Sequence, residues 1–125
     1  MTGSADELQA RKSALEDLIH LWGPVVDALK QLRAFDWDGA PDLVTLSSAT
    51  VIEVLDRYLS GDVTAEEMEN WAGGIEVRDD VAFPPLFDTV LKELFFELAH
   101  PEINRPLSAD TAREWSERLR DSATR

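Results

Sequence analysis

Pro84-Pro85-Leu86-Phe87-Asp88-Thr89-Val90-Leu91-Lys92-Glu93-Leu94-Phe95-Phe96-Glu97-Leu98-Ala99 is the stretch on which the fold turns. Phe87, Val90, Leu91, Leu94, Phe95 and Leu98 recur at three- and four-residue spacings, which puts them on one wide stripe of a helix. Phe96 extends that apolar surface around the side. The proline pair suits a helix start, where a missing amide hydrogen is tolerated, and Pro101 stops the run. A helix from about Pro85 to Ala99 is therefore expected at the centre of the core.

Working outward, the flanking segments repeat the helical pattern in weaker form. Pro101 to Leu107 reads as a loop. Ser108 then caps a last helix with Ala112, Trp115 and Leu119 on a narrow inward edge, and Asp121 to Arg125 are expected to fray. On the other side, Ile75 to Phe83 is irregular; Ile75-Glu76-Val77 has no visible partner strand, so no sheet is expected. Thr64-Ala65-Glu66-Glu67 has the spacing of a capping box, opening a short helix that buries Met68 and Trp71 and stops at Gly73-Gly74. Ser47 or Ser48 caps a helix through about Leu59, with Val51, Ile52, Leu55, Tyr58 and Leu59 inward and Gly61 as its left-handed end. Phe35 to Leu46 holds Asp36, Asp38, Gly39, Pro41 and Asp42 and reads as a loop. Ser4-Ala5-Asp6-Glu7 is another capping box, before a stripe of Leu8, Leu15, Leu18, Ile19 and Trp22. Gly23-Pro24 either kinks that helix or separates it from a second one carrying Val25, Val26, Leu29 and Leu32. The reading is an all-α, single-domain bundle of five to six helices over residues 1–125. Trp22, Leu55, Trp71, Phe95 and Trp115 are expected to be buried.

Composition bounds the function. The 125 residues are 44% hydrophobic, enough for one core, and carry 25 acids against 12 bases for a net charge of −13. That balance argues against direct nucleic-acid binding and against an anionic membrane surface. No apolar run is long enough to span a bilayer, and the first residues lack a cationic start and an apolar stretch, so a cytoplasmic location is expected. With no cysteine, disulfides, thiol chemistry and thiolate metal sites are excluded.

The charge is unevenly spread. Residues 1–34 carry a net −1, residues 35–83 a net −10, residues 84–100 a net −2, and residues 101–125 none. Three acidic clusters account for most of the excess: Asp36/Asp38/Asp42, Glu66/Glu67/Glu69 and Glu76/Asp79/Asp80. Acids gather at helix starts and on solvated faces for ordinary reasons. A contiguous acidic face held ready for a basic partner is the sharper reading, because self-repulsion costs stability that balanced charge elsewhere avoids. Partner contact is therefore assigned to Asp36, Trp37, Asp38, Asp42, Glu66, Glu69, Glu76, Asp79 and Asp80. Trp37, an indole between two aspartates, either plugs the fold or anchors an interface, and Tyr58 is a second candidate anchor.

Catalytic and metal motifs fail on their spacing. Glu97 and His100 have the Glu-x-x-His spacing of di-iron bundles, which require two such pairs, and here there is one. Asp36-Trp37-Asp38-Gly39 begins like a calcium loop, but Pro41 stands where glycine is required and no glutamate closes it. Asp79 and Asp80 are adjacent, which does not make a converging acid–base pair, and Ser47-Ser48 has no glycine elbow. No catalytic residue, metal or cofactor is expected.

Two segments carry a resemblance. Leu59-Ser60-Gly61-Asp62-Val63-Thr64-Ala65-Glu66-Glu67 leading into Trp71-Ala72, and Pro101-Glu102-Ile103-Asn104 leading through Arg113 to Trp115, resemble small acidic all-helical bacterial proteins. Some of that type are immunity proteins that neutralise a toxin, often a nuclease. The resemblance implies a protein-binding inhibitor of a basic partner, with no residue roles carried over. The alternatives are a phage-type nucleic-acid mimic, an accessory or regulatory subunit contacting its partner through an Arg113/Arg118 face, and a small-molecule carrier.

Overall fold

The computed structural model describes residues 3–33, 43–78 and 80–123. Six helices dominate: α1 (Gly3–Ile19), α2 (Val25–Leu32), α3 (Ser48–Leu59), α4 (Ala65–Glu76), α5 (Asp88–Ala99) and α6 (Ala109–Ala123). The fold is all-α. α4 packs along α5, α1 against α2, and α3 against α6.

The apolar stripe of α5 lies where its spacing puts it. Leu91, Leu94, Phe95 and Leu98 are buried, preceded by one 3₁₀ turn at Pro85–Phe87. Phe95 meets Trp71 of α4 at 5.1 Å between ring centres and stacks on Phe83 at 5.5 Å. Trp71 is fully buried, and its indole Nε1–H donates to the Leu18 carbonyl of α1 at 2.9 Å. A buried indole needs that partner, and the bond ties α4 to the end of α1. Leu55 and Trp115 are buried as expected.

The helix starts follow their capping residues. Ser47 Oγ accepts from the Thr50 amide at 3.2 Å; Ser108 Oγ accepts from the Thr111 amide at the same distance. Thr64 and Glu67 form the reciprocal capping box, both bonds at 3.1 Å. The side chains of Ser4, Ala5 and Asp6 lie outside the described residues.

The structure corrects the sequence reading in three places. α4 does not stop at Gly73-Gly74 but runs on to Glu76, because a Cβ at Gly74 would sit 3.2 Å from the Leu29 side chain. Glycine there lets α2 approach closely, and that packing outweighs its poor helix propensity. Val44–Thr45 (β1) and Val81–Ala82 (β2), read as irregular, pair in parallel, with Val44 opposite Val81. Helix α6 spans Ala109–Ala123. Trp22 is 60% exposed rather than buried.

That last correction follows from how α1 ends. The Trp22 amide donates to the Asp17 carbonyl at 2.9 Å and the Leu21 amide to the Leu18 carbonyl at 3.1 Å. This is a Schellman end, whose left-handed residue is usually glycine. Here it is Leu21, at φ +52, with its side chain buried. Helix α3 ends in the same pattern with Gly61 at φ +91, through Asp62 to Arg57 and Gly61 to Tyr58. Arg57 joins the two ends, its Nη1 donating to the His20 and Leu21 carbonyls at 3.1 and 2.9 Å. α1 therefore stops at Ile19, before Gly23-Pro24, and Pro24 precedes α2 as its N-cap.

Two stability measurements check this architecture. Leu94→Ala is expected to lower the unfolding free energy by about 2–5 kcal/mol in urea titrations, and a loss below about 1 kcal/mol would remove α5 from the core. Gly61→Ala is expected to cost about 1 kcal/mol through backbone strain alone, since open space surrounds the position; an unchanged midpoint would contradict the left-handed end.

Candidate acidic interface

Helix α4 carries the acids that the structure brings together. Glu66, Glu69 and Glu76 are separated by three and seven residues, which sets them on one side of the helix, and all three are exposed. Glu67 is turned away into the capping box. Glu76 Oε1 is 2.8 Å from His100 Nε2, so the lower end of the row is engaged with the end of α5. That hydrogen bond, outweighing the cost of burial, raises the His100 pKa above the usual histidine value. Glu66, Glu69 and the neighbouring Asp62 make no ion pair among the described residues, and each is exposed. Glu69 stands between two clefts. One, of about 510 Å³, runs between α2 and α4 over Leu29, Leu32, Gly73 and Val77; the other, of about 250 Å³, is floored by Leu98, Pro101 and Leu107.

Of the remaining assigned residues, Asp36, Trp37, Asp38, Asp42 and Asp79 lie outside the described residues. Asp80 does not belong to an exposed cluster. Its side chain is 1% exposed and is held from both sides: Arg11 Nη2 reaches Oδ2 at 2.8 Å, while Arg78 Nε reaches Oδ1 at 2.8 Å and Nη2 reaches Oδ2 at 2.9 Å. Burial alone would raise this carboxyl, but the hydrogen bonds and charges of Arg78 and Arg11 outweigh it and hold Asp80 below the usual carboxylate range. A buried carboxylate is tolerated when it is paired and hydrogen-bonded in this way. Tyr58 is half-buried, with its hydroxyl donating to the Leu107 carbonyl at 3.4 Å.

Most described bases are taken up inside the molecule. Lys92 meets Asp88 at 2.9 Å, Arg105 bridges Glu97 and Glu114 at 3.2 and 2.9 Å, Arg113 meets Asp110 at 3.3 Å, and Arg118 pairs with Glu93. Arg118 also lies over the Trp115 ring at 4.8 Å. The Arg113/Arg118 face is thus matched by acids of the same chain. Glu97 and His100 do not converge: Glu97 accepts from the Trp115 indole at 2.7 Å, while His100 turns to Glu76 and Glu102. Among the described residues no three His, Asp or Glu side chains are grouped to hold a metal ion, and no helix is long and apolar enough to cross a membrane.

Sequence reasoning missed Arg11 and the display of Trp22. Arg11 was legible: it shares the stripe of Leu15 and Leu18 at four- and seven-residue spacing, where a charge signals a buried partner. Trp22 also fits that stripe on paper, and only the early stop of α1 takes it out.

Comparisons with protein families, curated proteins and solved structures find no match. The site is read from its own chemistry.

Asp80→Asn is expected to cost about 3 kcal/mol at neutral pH by leaving two guanidinium groups short of a partner. Because the folded carboxyl titrates below its unfolded value, its contribution is full above about pH 4 and fades as pH falls further. The gap between native and variant should therefore close in acid; a gap constant from pH 6 to pH 2 would contradict the pairing. In NMR titrations, His100 is expected to lose its proton above the usual histidine range and to return toward it in Glu76→Gln. An unchanged midpoint would break the Glu76–His100 contact.

Proposed function

We propose that this protein is an acidic binding module that covers a basic surface of another protein, acting by association and not by catalysis. The observation that carries the reading is the pairing pattern. Internal ion pairs occupy most of the described bases, while Asp62, Glu66 and Glu69 are exposed and make no ion pair among the described residues, and Glu66 and Glu69 border clefts with apolar walls. Clustered exposed like charges repel one another, whereas a cationic partner turns the same charges into fast, selective association. The clefts flanking Glu69 supply the apolar contact that charge alone lacks. The most concrete form is a cytoplasmic bacterial immunity protein or antitoxin that masks the phosphate-binding surface of a nuclease toxin. The Leu59–Glu67 and Pro101–Asn104 segments resemble small acidic all-helical bacterial proteins, some of which are immunity proteins, and that resemblance suggests this form.

Affinity capture from the native organism, read at two salt concentrations, tests it. A basic protein is expected to be retained at low salt and released near 1 M salt, where charge reaches only about 3 Å. Glu66→Lys combined with Glu69→Lys should slow association at least tenfold. A partner whose association rate ignores both salt and charge reversal would refute the acidic-module reading.

A further inference from the structure

The turn after α1 displays an indole in a way that folding alone does not require. Trp22 is 60% exposed. One face of its ring lies flat on His20, with centres 4.3 Å apart and planes 11° from parallel. The ring is held there at a cost: Leu21 takes a left-handed conformation that the matching end of α3 gives to glycine, and Arg57 fastens the His20 and Leu21 carbonyls. Backbone strain that the surroundings hold in place is a mark of a working site.

Trp22 shares a cleft of about 360 Å³ with Glu53, Asp56 and Arg57. Glu53 is exposed and makes no ion pair among the described residues. Asp56 is met by Arg120 at 3.8 Å, and Arg57 is turned onto backbone carbonyls. The cleft thus combines an uncovered indole face with an unpaired carboxylate. An aromatic face attracts a cation through its quadrupole, and a carboxylate beside it accepts the N–H donors of a planar guanidinium. The chain shows a related arrangement at the buried Trp115, where Arg118 lies over the indole and pairs with Glu93. At Trp115 the arginine is internal; at Trp22 none is supplied among the described residues.

We infer that the Trp22–Glu53 cleft receives an arginine side chain of the partner protein, stacked on the indole and hydrogen-bonded to Glu53. The inference rests on the acidic-module reading for the partner being a basic protein, and it adds a second contact where the end of α1 meets α3.

The test uses the ¹⁵N-labelled 125-residue chain and a hexa-arginine peptide at about 0.01 M salt, where charge is little screened. The Trp22 indole N–H resonance, assigned with Trp22→Phe, is followed through the titration. It is expected to shift, and Trp22→Ala and Glu53→Gln should each weaken binding about two- to fivefold. Both side chains are exposed, so circular dichroism should match the native protein. Suppose the peptide binds and shifts only α4 amides, with Trp22→Ala binding as tightly as the native chain. The arginine cleft is then wrong, while the acidic module stands. No binding by any variant would overturn both.

Discussion

The Asp80 carboxylate, enclosed by Arg11 and Arg78, is the interaction on which the arrangement depends. Its side chain fastens β2 to the middle of α1, while its backbone carbonyl accepts the Val44 amide at 3.1 Å and fastens β1 to the same point. The chain between α2 and α3 and the chain between α4 and α5 are closed together there. Two residues of strand would be marginal by themselves. They persist because a buried carboxylate must keep its guanidinium partners, one of which, Arg11, comes from a distant part of the chain. One acid of the most acidic segment is thereby removed from the surface and made structural.

The same rule sorts the remaining charge. Where a base is within reach it is paired, on α5, α6 and the loop between them, and those faces approach neutrality. Along the α3–α4 corner the bases run out. Arg57, at the end of α3, is directed at the carbonyls that end α1, and Glu53, Asp62, Glu66 and Glu69 make no ion pair among the described residues. The fold thus uses its cations as structural donors, and the surface that results carries the excess that a cationic partner would neutralise.

Much of this was legible in the sequence, and the exceptions share a cause. Stripes and caps depend on neighbours three or four residues away, so α3, the start of α4, α5 and α6 could be read locally. Position Gly74 is decided by Leu29, the strand pair by Val44 meeting Val81, and Asp80 by Arg11 sixty-nine residues away. None of these follows from local spacing. The end of α1 is the instructive case, because Gly23 offers an obvious left-handed residue two positions too late. The chain uses Leu21 instead, trading backbone strain for a buried leucine, and that shift of register exposes Trp22. Of the assigned interface, the capping box placed Glu66 and Glu69 at the start of a helix, while Glu76 was read in an irregular segment beyond Gly73-Gly74 and instead ends α4. Spacing could not tell that Glu76 meets His100 or that Asp80 is inside.

The central claim is that partner contact falls on the α3–α4 corner where unpaired acids accumulate. Amide hydrogen exchange, compared between the free chain and its complex with the basic partner recovered from native cells, tests this most directly. Slowed exchange is expected across residues 53–73, with the α6 face from Arg113 to Arg120 unchanged. Protection confined to α6, with residues 53–73 exchanging as in the free protein, would contradict the account.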